Sequence, residues 1–208
     1  MLYHLVGVVM KVIASVALGL LLSMGAVQAR PLHVVGPWEI AGVDPAQSGY
    51  VFSRMQVAET LVSTSLSGEL VPGLAERWSV SDDGLTWRFA LRANARFHDE
   101  TPVTAELAAE SLRHAFAGAG VLRQLPIAEV SSQGHDVLIR LDRPFAAVPA
   151  YLVHFSTIIL APASYSADGR VTRIIGSGPY RVRNLTPPLQ RTWRRPPDGG
   201  AGVRASRK

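Results

Sequence analysis

Histidine, serine and the aromatic residues are the side chains in this sequence best suited to chemistry. The six histidines are His4, His33, His98, His114, His135 and His154. None is paired with another at the i, i+4 spacing that sets two imidazoles on one helical face for a metal ion. There is no cysteine, which excludes disulfides, thiolate metal ligands, thiol nucleophiles and a lipid-modified N-terminal cysteine. The chain also lacks a G-x-S-x-G elbow, an H-E-x-x-H pair, a P-loop and a G-x-G-x-x-G turn. Its one Gly-rich run with a phosphate-loop look is GSGPY at 176–180, but Pro179 removes an amide donor and a strand is expected to follow. The residues therefore point away from catalysis, and no metal or cofactor is expected.

The bulk properties are those of a folded protein. The chain has 208 residues, 48% of them hydrophobic and 18% charged, which excludes a disordered polyelectrolyte. The net charge of +5 is concentrated at one end. Residues 191–208 hold Arg191, Arg194, Arg195, Arg204, Arg207 and Lys208 against Asp198 alone, and residues 1–190 are neutral overall. A nucleic-acid or anionic-surface reading would rest on that tail alone, and it is the second choice.

The ends of the chain read differently from its middle. Lys11 precedes the apolar run VIASVALGLLL, and the segment SMGAVQA places small residues Val27 and Ala29 before Arg30. This is the layout of a secretory signal peptide over residues 1–29. Met10 is the better start, because MLYHLVGVV carries no Lys or Arg. Residues 30–190 form the expected globular part. The tail 191–208 is rich in Arg, Pro, Gly and Ala and reads as a frameshifted or prematurely ended segment.

Between these ends the pattern is mixed α/β. A short strand is expected at Leu32–Val35, a turn at GVDPAQSG, and a helix over 51–63 with Val51, Met55, Ala58 and Val62 on one face. A hairpin is expected around 78–91, with Leu85, Trp87, Phe89 and Leu91 sharing a face. Thr104 caps a helix that carries Ala108, Leu112, Ala115 and Phe116 inward and ends at Gly118 and Gly120. A second strand pair turns at Gly134. Further strands are expected at Thr157–Leu160 and from Tyr180.

The order of these motifs carries a resemblance. LVPGLAERWSVSDDGLTWRFALRANARFHDETPVTAELAAESLRHAF, residues 70–116, followed by ILAPASY and IGSGPYRV, resembles the family 5 extracytoplasmic solute-binding proteins of ABC importers. These are the oligopeptide-, dipeptide- and nickel-binding type. The resemblance implies a lobe like that of a type II periplasmic-binding protein. It would contain a hairpin–helix subdomain at about 70–150, and its second lobe would be missing, because family members are more than twice as long. It implies a periplasmic monomer that binds a small peptide or metal chelate, works with an ABC permease and takes no nucleic acid. It also implies that the cleft is lined by Tyr50 and Phe52 after the first strand, and by His154, Phe155 and Ser156 beside the return strand. His98 would be structural, His114 solvated, and Trp78 and Trp87 hairpin core. Two departures stand out. Glu100 occupies a family glycine position, where a left-handed backbone would strain it. Ser177 occupies a family threonine position.

Overall fold

The computed structural model describes residues 40–185. The signal segment 1–29, the strand expected at Leu32–Val35 and the tail 191–208 lie outside the described residues.

Helix α1 runs Pro45–Arg54. Asp44 caps it, its carboxylate accepting from the Ala46 N–H at 2.9 Å, and Pro45 fills the first helical position, where a missing donor costs nothing. The helix therefore lies earlier in sequence than the expected 51–63. Asp-Pro reads equally as a turn or as a helix start, and here it starts the helix. Ala58 and Val62, expected on its face, lie beyond its end, which is closed by Gln56 in a left-handed conformation at φ 52°. Val62 instead begins β1 (Val62–Thr64), which pairs antiparallel with β2 (Leu70–Pro72).

The main sheet has four antiparallel strands in the order β3-β4-β6-β5. These are β3 (Ala75–Val80), β4 (Thr86–Leu91), β5 (Ile127–Gln133) and β6 (Asp136–Leu141). Both expected hairpins are present, with turns at Gly84 and Gly134 in the left-handed region. Trp87, Phe89 and Leu91 face inward as their alternation requires, as do Val137, Ile139 and Leu141. Helix α2 (Ala105–Ala117) is capped by Thr104, whose hydroxyl accepts from the Leu107 N–H at 3.2 Å, and it ends at Gly118. Its fully buried Ala108, Ala109 and Leu112 close one face of the sheet, and Arg113 ties it to the Val130 carbonyl at 3.0 Å. A short helix α3 (Val148–Tyr151) follows β6. A second, smaller core collects Phe52, Val57, Ala58, Ile158, Leu160 and Ile174.

Two expected strands are absent among the described residues. Residues 155–157 form a single 3-10 turn, and 158–161 is extended without a strand partner. Its amides are divided among three segments: Ile159 donates to Glu59 O, Leu160 to Ser111 Oγ and Ala161 to Ile175 O. An apolar run at strand length fits this buried extended segment as well as it fits a ladder. Residues 180–185 likewise form no strand.

Glu100 has φ 68°, the conformation that its FHDE turn demands. A non-glycine residue pays about 1–2 kcal/mol there. Glu100→Gly relieves that strain and adds the entropic cost of glycine, about 0.5–1 kcal/mol. Chemical denaturation should therefore show a variant more stable by about 0.5–1 kcal/mol. A lower midpoint would place the strain elsewhere.

Candidate functional site

Four of the five residues expected in the cleft come together. Helix α1 meets the turn Phe155–Thr157 through Gly49, where a Cβ would lie only 2.6 Å from the Phe155 carbonyl oxygen. This close approach sets the Tyr50 ring edge-on to Phe155, with centroids 5.8 Å apart. The His154 ring lies over Phe155 on a 4.0 Å centroid separation. His154 caps the turn: its Nδ1 accepts from the Ser156 N–H at 3.2 Å and lies 2.8 Å from Ser156 Oγ. Ser156 Oγ also accepts from the Val121 N–H at 3.2 Å. Burial holds the His154 imidazole below its ordinary pKa, so the neutral ring is favoured. The fifth residue, Phe52, does not join them. At 2% exposure it is packed in the smaller core and offers no face to a ligand. Successive helix positions point about 100° apart, so Tyr50 and Phe52 cannot share a wall.

Beyond Ser156 a cavity of about 270 Å³ opens between the N-terminus of α1 and the C-terminal half of α2. Asp44, Ser111, His114, Ser156, Tyr165 and Arg170 contribute its polar groups. His114 is not a solvated helix residue. It stacks on Tyr165 at 4.1 Å, and Ser111 Oγ meets the Tyr165 hydroxyl at 2.9 Å. The i, i+3 spacing of Ser111 and His114 on α2 was the available signal for this pair. Its partner Tyr165 is distant in sequence and gave none.

Burial pushes the Tyr165 hydroxyl up to about 12. The folded state holds that proton more tightly than the unfolded chain, so the stabilisation is intact below pH ~10 and is lost as pH rises toward ~12. The loss should approach about 2 kcal/mol, and it should be missing from Tyr165→Phe when stability is followed against alkaline pH. An identical alkaline limb in the variant would contradict the assignment.

A second, polar cavity of about 430 Å³ lies past the end of α1. There Glu59 and Arg92 form a two-pronged ion pair at 2.9 and 2.8 Å, and Arg92 also donates to Gly73 O. Ser177 Oγ donates to Glu59 at 2.8 Å, so the group it uses is the hydroxyl, which threonine shares. The 176–178 turn is further held by His98, whose N–H reaches Gly176 O at 2.9 Å and whose Nε2 reaches Gly178 O at 2.8 Å. His98 is therefore a structural residue. Trp87 is buried, with its Nε1–H on Phe145 O, and Trp78 is half-buried against the same core.

Residues 69–200 match the family described as bacterial extracellular solute-binding proteins, family 5 Middle, and the chain belongs to that family. A probable peptide ABC transporter periplasmic-binding protein of Sinorhizobium fredii is 32% identical over 164 residues, covering 71% of this chain and 31% of that protein. The nickel-binding periplasmic protein of Escherichia coli is 35% identical over 92 residues, covering 39% and 18% respectively. Among solved structures, a nickel ABC transporter protein from Bacillus halodurans superposes with a TM-score of 0.64 at 27% identity, over 72% of this chain and 31% of that one. The AgaA binding protein from A. tumefacien R10, solved with agropinic acid, gives a TM-score of 0.59 at 28% identity, over 69% and 30%. The chain thus spans about a third or less of the length of these relatives. Its mixed α/β fold is part of a lobe of a type II periplasmic-binding protein.

Proposed function

We propose that this chain contributes a solute-binding surface to an ABC importer, acting in the periplasm as a monomer that takes a small peptide or nickel chelate and delivers it to the membrane permease. It catalyses no reaction and takes no nucleic acid on this reading. The observation that carries the proposal is the meeting of Tyr50, His154, Phe155 and Ser156 at the junction of α1 and the 155–157 turn, in a chain of this family. Aromatic faces with a few fixed polar groups are the usual lining of a small-molecule site.

The chain spans about a third of the length of its relatives, and on this reading residues 40–185 supply one wall of the site, so a bound solute keeps much of its hydration. A ligand held at ~1 μM by two walls is bound by −8.2 kcal/mol, and half of that leaves a constant of about 1 mM. Calorimetric titration of the purified chain with trialanine and with nickel–histidine is expected to give millimolar binding of at least one. Micromolar binding would show that one wall suffices. No binding of either at tens of millimolar would remove the proposal.

A further inference from the structure

The hydrogen bonds around His154 determine what its outer nitrogen can do. Nδ1 is approached by two groups of Ser156, the backbone N–H at 3.2 Å and Oγ at 2.8 Å. A backbone N–H can only donate, so Nδ1 must present its lone pair. The opposite arrangement, with a proton on Nδ1, would face that proton toward the Ser156 N–H inside a residue 4% exposed and leave a buried donor unpaired. Ser156 Oγ fits the same assignment: it accepts from the Val121 N–H and has its own proton free for Nδ1. A neutral imidazole with an unprotonated Nδ1 carries its proton on Nε2. Nε2 has no hydrogen-bond partner among the described residues, since both hydrogen bonds of the ring go through Nδ1, and the ring is half-buried against Phe155.

We infer that His154 acts as a fixed Nε2–H donor to an oxygen of the solute, a carboxylate or a peptide carbonyl, and not as a metal ligand. Metal coordination through Nε2 needs the lone pair that this tautomer does not have there, and Nδ1 is already occupied. The inference rests on the proposed solute-binding role and adds to it the chemistry of one contact. It also explains why a histidine can serve at this position without a formal charge: the turn itself fixes which nitrogen donates.

His154→Asn separates the two roles of the ring. The asparagine Oδ1 can accept the Ser156 N–H as a cap, while the outer donor is lost. Circular dichroism and thermal midpoint are expected to change little. Affinity for trialanine should fall about tenfold, the loss of one hydrogen bond to a charged or polar oxygen. Comparison with trialanine amide distinguishes the two oxygens. If the amide binds the wild type and is weakened equally by the substitution, a carbonyl is the acceptor; if the amide is weak and indifferent, the carboxylate is. Long-range proton–nitrogen NMR of the wild-type ring should show the Nε2–H tautomer. The inference is overturned by an Nδ1–H tautomer, by unchanged trialanine affinity in His154→Asn, or by binding of Ni(II) alone that the substitution abolishes. Absence of trialanine binding by the wild type removes the solute-binding role and this contact together, whereas the other three results leave the broader role standing.

Discussion

Trp87→Ala is expected to destabilise the protein by about 3–5 kcal/mol, the usual cost of emptying a buried aromatic site. The indole is 8% exposed near the start of β4, the strand that pairs with both β3 and β6, and it stacks at 6.2 Å on fully buried Phe89. Its Nε1–H donates to the Phe145 carbonyl at 3.2 Å, so truncation also strips an acceptor of its partner. Denaturant unfolding monitored by far-ultraviolet circular dichroism measures the loss. A change below about 1 kcal/mol, typical of surface positions, would mean that the hairpin faces the other way.

The second large effect is expected at Gly178. A Cβ there would lie 2.0 Å from the Gln56 carbonyl oxygen, a backbone atom that cannot turn aside. Gly178→Ala should therefore cost about 3 kcal/mol, at the upper end of the overpacking range, with the turn displaced from its clamp of Glu59, Arg92, Ser177 and His98. Gly42 is the control, since nothing lies within 4 Å of its added Cβ and its φ is not left-handed. Gly42→Ala should leave the unfolding midpoint nearly unchanged. Equal effects at the two positions would show that the close approach at 178 is not what the turn depends on.

The hairpins and α2 were legible because several local signals agree there. Alternation, turn residues and a Thr104 cap all specify the same elements over residues 75–141, and the structure has them. The position of α1 was misread because Asp44-Pro45 serves turns and helix starts alike. A strand is expected at Thr157–Leu160, where the structure has a turn and an extended run, because periodicity reports burial and not the partner of each amide. Tyr50, His154, Phe155 and Ser156 were legible only through the resemblance, as no spacing in the sequence brings position 50 beside position 155. Phe52 is the exception: the resemblance put both aromatics in the cleft, and helical geometry separates them, burying Phe52. The cavity around His114 and Tyr165 depends on contacts about fifty positions apart, and only the i, i+3 spacing of Ser111 and His114 on α2 is visible locally.

On the proposed function, solute lands on the junction of α1 with the 155–157 turn. Amide chemical-shift mapping of the purified chain during titration with trialanine to tens of millimolar tests it most directly. Saturable shifts concentrated at Gly49, Tyr50, His154, Phe155 and Ser156, with β3 and β5 undisturbed, are the expected result. Saturable shifts confined to the outer face of the four-stranded sheet, or none anywhere, would contradict it.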